Sequence, residues 1–89
     1  MTSIVFAEAF FEDMSFVKLE SKADEILDAI ALLETTPEIG SAILPASIRR
    51  RYGPQVRKFA VNPFDIVYDY LANADEVVIL ALIHQRGAR

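Results

Sequence analysis

A histidine and an arginine two residues apart, His84 and Arg86, close an apolar run near the end of an 89-residue chain. An imidazole with its ordinary pKa near ~6.5 can give or take a proton at neutral pH. A guanidinium can hold a phosphate through two parallel N–H bonds. Cleavage of RNA by its own 2′-hydroxyl needs a base, a cation for the phosphorane charge and an acid for the leaving 5′-oxygen. His84 with Arg57 and Arg86 could fill those catalytic roles. More cations crowd the middle of the chain, Arg49, Arg50, Arg51 and Lys58, where they could gather a backbone of phosphates or another target, and Tyr52 beside them could stack on a base. Each residue also has a plainer reading. A lone histidine at a strand end can be a surface or hydrogen-bonding residue, and Arg57 can pair with Asp65 or Asp69 across a hairpin. Arg86 and Arg89 can fray with the terminus. The 49–51 run can be a solvated basic loop.

Other chemistries are excluded or left without residues to perform them. The chain has no cysteine, which removes disulfides, thiolate metal sites and cysteine nucleophiles together. One histidine with scattered carboxylates makes no convergent ligand set, so no metal is expected. Gly40, Gly53 and Gly87 are too far apart for a phosphate-cradling loop, and no cofactor is expected either.

The composition is 53% hydrophobic and 25% charged with four prolines and three glycines, which supplies one packed domain over residues 1–89. The first charged residues are the acids Glu8, Glu12 and Asp13, the opposite of a basic-then-apolar export signal. The longest uncharged apolar run, residues 77–83, is far short of the ~20 residues of a membrane span. A cytoplasmic setting without membrane partners is expected. The net charge of −4 argues against indiscriminate nucleic-acid binding. That average hides a division, because residues 1–40 hold nine acids and two bases whereas residues 41–89 hold seven bases and four acids. A positive surface forms if the later cations meet in space.

The elements that must position these groups follow from periodicity. Residues 3–6 are apolar with β-branched Ile4 and Val5, a first strand. From Ala7 onward Phe10, Met14 and Val17 recur at helical spacing. A second helix follows, opened by Ser21 and Asp24 in the manner of a capping box and striped by Ala23, Ile26, Leu27, Ile30 and Leu33. Pro37 predicts its end near Thr35. Residues 37–54 read as a long, partly structured connection anchored by Ile39, Ile43, Leu44 and Ile48. Residues 56–61, 64–71 and 76–83 then read as three strands of a meander. In the second of these Phe64, Ile66, Tyr68 and Tyr70 share the core face, with the tyrosine hydroxyls at its rim. The unbroken apolar third strand belongs at the centre of the sheet. The fold class is α+β: a strand, then two antiparallel helices packed over one face of a mostly antiparallel sheet.

Particular segments sharpen this. Thr36-Pro-Glu-Ile-Gly40, Val56-Arg-Lys-Phe-Ala-Val61, Phe64-Asp-Ile-Val-Tyr-Asp-Tyr70, Glu76-Val-Val-Ile-Leu-Ala-Leu-Ile83 and the ending His84-Gln-Arg86 resemble the recurrent motifs of the RelE/ParE superfamily of bacterial toxins. The resemblance covers most of the chain. It implies a growth-arresting toxin of a type II toxin–antitoxin module, including plasmid stabilisation systems, bound by a cognate antitoxin encoded in the same operon. It also implies one of two targets: DNA gyrase, as in ParE-like members, or messenger RNA on the ribosome, cut without metal, as in RelE-like members. The acidic balance favours gyrase. A third expectation is a non-toxic module that helps its antitoxin repress their operon.

Overall fold

The computed structural model describes residues 1–87; Arg89, considered above as a terminal cation, lies outside them. The chain runs β1 (Ser3–Phe6), α1 (Glu8–Met14), α2 (Glu20–Leu32), α3 (Ala46–Tyr52), β2 (Arg57–Val61), β3 (Phe64–Leu71) and β4 (Glu76–His84), with short 3-10 turns at Ala72–Ala74 and Gln85–Gly87. The strands form one sheet in the order β1-β4-β3-β2. The β2–β3 and β3–β4 pairs are antiparallel and β1 lies parallel to β4. The apolar run predicted to be central is flanked on both sides.

Strand alternation divides the apolar residues between two faces. On one face Ile66, Tyr68, Val77, Ile79 and Leu82 pack against Phe10 of α1, Ile26 and Ile30 of α2, and Leu33 just beyond its end. On the other, Val67 and Ala81 pack against Ile48 and Tyr52 of α3, joined by Val56 and Leu44. One irregularity serves both. Val67 opposes Ala81 and Tyr68 opposes Ile79, so Leu80 is an extra residue in β4, and this bulge returns Leu82 to the α1/α2 core while Ala81 faces α3. A uniform alternation would have sent Leu82 to the α3 side.

Four local expectations need correction. Residues 37–54 are not only a connection, because α3 forms within them and covers the second face; only its Ile48 and Tyr52 meet that core, too few contacts for periodicity to reveal. The helices therefore lie on both faces of the sheet. The Ser21 capping box does not form: Leu19 is the N-cap of α2 and no side chain caps it. Helix α2 ends at Leu32, ahead of Thr35, and Leu27 on its stripe is 48% exposed. Helix α1 stops at Met14, where Asp13 Oδ2 accepts the Leu82 backbone N–H at 3.0 Å. That bond satisfies a β4 donor beyond the end of β1, which pairs only as far as Phe6 with Ile79. No helix among the described residues is long and apolar enough to cross a membrane.

Candidate functional site

Register decides which of the candidate residues can meet. His84 pairs with Phe64 across β3–β4, and Arg57 pairs with Tyr68 across β2–β3. The two positions are four residues apart along β3 and two strands apart across the sheet. At ~3.3 Å per residue and ~4.8 Å per strand their backbones are about 16 Å apart. The structure brings His84 and Arg86 together and leaves Arg57 elsewhere.

Arg57 has other work. Its Nη1 donates to the carbonyl oxygens of Glu38 and Gly40 at 3.1 and 2.8 Å, and its Nη2 lies 3.8 Å from the Glu38 carboxylate. The expected pairing with Asp65 or Asp69 does not occur. Asp65, buried at the β2–β3 hairpin, faces Lys58 at 3.9 Å and accepts a bond from Gln85. Tyr68 completes the arrangement around residues 37–40. Its hydroxyl donates to the Pro37 carbonyl at 2.8 Å and accepts the Gly40 N–H at 2.9 Å. This hydroxyl is inside the protein and doubly bonded, not at the rim, because the 36–40 segment folds over it. Arg57 and Tyr68 together tie the exit of α2 to the sheet.

Burial pushes the Tyr68 phenol above its ordinary pKa of 10.0, opposed by the Gly40 hydrogen bond and the Arg57 charge. The sign follows from linkage. Above about pH 10 the unfolded chain releases this proton more readily than the folded one, so stability falls as pH rises through that range. Denaturant midpoints between pH 8 and 11 are expected to decline for the wild type and to decline less for Tyr68→Phe. An equal slope in the two proteins would show that the phenol is not responsible.

The His84 ring stands exposed at the end of β4, edge-on to Phe64 with centroids 5.5 Å apart. Its Nδ1 accepts the Arg86 backbone N–H at 3.2 Å, so Nδ1 carries no proton in this arrangement and the neutral ring holds its proton on Nε2. Arg86 is exposed beside it.

The remaining cations are on the other side of the sheet. Arg49, Arg50 and Arg51 are all exposed on α3, which Ile48 and Tyr52 anchor to the second core. The Arg51 guanidinium sits 5.4 Å above the half-buried Tyr52 ring, so that tyrosine is already packed and partly covered. Lys58 projects to the same face, opposite Val67. The sheet thus separates charge. Exposed Glu8, Glu12, Glu20, Asp24, Glu25 and Asp28 clothe α1 and α2, while three arginines clothe α3.

Sequence reasoning missed two features: the Tyr68 clamp and an apolar pocket where the link between α1 and α2 meets the β2–β3 turn, lined by Phe16, Val17, Leu19, Pro63 and Phe64 together with Lys18 and Lys22. Only one signal in the sequence pointed to the pocket, namely that Lys18 and Lys22 are the sole bases of the first forty residues.

Two helices on one face, a short third on the other and the order β1-β4-β3-β2 define a known class of small toxin fold. The toxin–antitoxin complex RelBE2 from Mycobacterium tuberculosis matches with a TM-score of 0.74 at 16% identity, covering 93% of this chain and 96% of that one. The intact E. coli RelBE toxin–antitoxin complex matches with a TM-score of 0.73 at 13% identity, covering 94% and 96%. The isolated E. coli RelE toxin matches at 0.70 and 12%, covering 94% and 84%. Identities this low speak for the fold alone. No curated protein matches the sequence. The sequence profile of the ParE toxins of type II toxin–antitoxin systems, parDE, matches residues 16–89, and the chain belongs to that family within the RelE/ParE superfamily.

Proposed function

We propose that this chain arrests growth by engaging DNA gyrase through its α3 face, and that a small antitoxin from the adjoining reading frame holds it in check. The family supports the module, and the observation that favours gyrase over messenger RNA is the placement of Arg57. Its Nη1 is engaged by the carbonyls of Glu38 and Gly40, its Nη2 lies beside the Glu38 carboxylate, and its backbone is about 16 Å from that of His84, which sets it apart from the His84–Arg86 pair. Lys58 and Arg49 to Arg51 project from the opposite face and do not complete that group. The acidic coat of α1 and α2 also opposes burial among ribosomal phosphates, whereas a protein target demands cations only where it is itself acidic.

The test is parallel measurement of supercoiling by purified gyrase and of translation in a ribosomal extract, each with the purified chain added. Loss of supercoiling with translation intact is the expected result. Loss of translation with gyrase unaffected would replace this reading with the second one, an endoribonuclease working from the His84–Arg86 pair. The exposed His84 ring beside Arg86 is the observation in its favour, since an imidazole there could take up a proton, releasing the Nδ1 bond to Arg86, and deliver it to a leaving oxygen. Under that alternative His84→Ala abolishes messenger cleavage; under the gyrase reading the same variant still arrests growth.

A further inference from the structure

The first forty residues hold only two bases among nine acids, and the fold brings both of them to one place. Lys18 and Lys22 border the same apolar pocket, whose walls are Phe16, Leu19, Pro63 and Phe64. Lys22 is fixed there, donating to the Asn62 carbonyl at 2.6 Å and to Glu25 at 2.9 Å. Lys18 has no acidic partner among the described residues and stands exposed. Phe16 and Leu19 are 75% and 67% exposed, far more than an isolated soluble domain gains anything by showing side by side. The pocket measures about 260 Å³, below the ~300–1,000 Å³ usual for small-molecule sites, and suits one or two side chains of a larger partner. Its Phe64 wall continues into the edge-on ring of His84, a third nitrogen base beside the apolar floor.

We infer that this pocket anchors a segment of the partner protein in which a leucine or aromatic side chain is flanked by aspartate or glutamate. The apolar side chain fills the space between Phe16 and Phe64, and the flanking carboxylate meets the Lys18 ammonium at the rim. The charge argument selects the occupant: on a helical layer that otherwise carries acids, an acidic segment is repelled everywhere except at this lysine-bordered opening, so the two lysines set its register as well as its affinity. The inference rests on the proposed antitoxin partnership and adds to it the place and chemistry of one anchor.

The product of the adjoining reading frame is titrated calorimetrically into the wild type, Phe16→Ser, Lys18→Glu, Lys18→Arg and the distant control Asn73→Glu. Phe16→Ser and Lys18→Glu are expected to weaken binding by at least about ten-fold. Lys18→Arg and Asn73→Glu should remain within about two-fold of wild type, and the Lys18→Glu loss should shrink in high salt. Phe16 and Lys18 are exposed, so a folding defect is not expected to confuse the result, and thermal melts check it. Wild-type affinity in both Phe16→Ser and Lys18→Glu overturns the pocket while leaving the partnership intact. No binding by the wild type at micromolar concentration overturns the partnership, and the anchor with it. If the chain alone forms a dimer that Lys18→Glu dissociates, the occupant is a second copy and the assignment to a partner is wrong.

Discussion

Gly40→Ala is expected to lower stability by about 3 kcal/mol, a fall of roughly 12–24 °C in Tm for a domain of this size. The reason is space, not backbone conformation. A Cβ on Gly40 would lie 2.6 Å from the Tyr68 hydroxyl oxygen, 2.7 Å from its Cε1 and 3.0 Å from the Lys58 carbonyl oxygen. The ring has no room to retreat, because Tyr68 is fully buried in the α1/α2 core. The Lys58 carbonyl is equally confined, since it accepts the Ser41 N–H at 2.8 Å while the Lys58 N–H donates to Ser41. The methyl group therefore displaces the phenol and breaks its bonds to Pro37 and Gly40, each worth roughly 1 kcal/mol. Tyr68→Phe removes the same bonds without the clash and should cost less. Because the two changes disrupt one network, the double variant should cost less than the sum of the singles. A melt of Gly40→Ala within 3 °C of wild type would mean that the 36–40 segment is not clamped against the sheet in solution.

The second large effect concerns α3. On the proposed gyrase contact, reversing Arg49, Arg50 and Arg51 together to glutamate is expected to abolish growth arrest and slow association with gyrase by ~10- to 1,000-fold, most strongly at low salt. The fold should survive. All three side chains are exposed, and the contacts that hold α3 to the sheet come from Ile48 and Tyr52. The arginines also sit in the last turn of α3, where they offset the helix dipole, so a stability loss of roughly 1 kcal/mol is expected and can be measured separately. His84→Ala serves as the contrast, with arrest retained. If the triple variant melts near wild type and still arrests growth, α3 is not the contact surface.

The positions of the strands and of α1 and α2 were legible from residue order because they rest on local periodicity. Phe64, Ile66, Tyr68 and Tyr70 alternate, and β3 forms over Phe64–Leu71 with those side chains on the α1/α2 core face as expected. The unbroken apolar run of β4 placed it between two neighbours, which the sheet order bears out. Helix α3 escaped because a seven-residue segment with three consecutive arginines shows only Ile48 and Tyr52 as its contacts to the second core. The capping box expected at Ser21 failed for a related reason: a local hydrogen-bonding pattern matched, but the N-cap is Leu19, two residues earlier.

What residue order determined by itself was therefore the inventory: the α+β fold class, the family motifs, the cations available and the excess of acid in the first half. Which of those cations share a face, and which are already occupied, was decided only in three dimensions. Arg57, read one-dimensionally, is a guanidinium on a strand; once register sets it opposite Tyr68 and the 36–40 segment closes over both, its Nη1 donates to two main-chain carbonyls. Lys18 and Lys22, unremarkable as isolated residues, become the border of one pocket when the α1–α2 link meets the β2–β3 turn. Periodicity acts over a few neighbouring residues, whereas a site is made by groups far apart in the chain, 17 residues for Arg57 and Gly40 and 40 for Lys22 and Asn62, whose meeting depends on strand order and register.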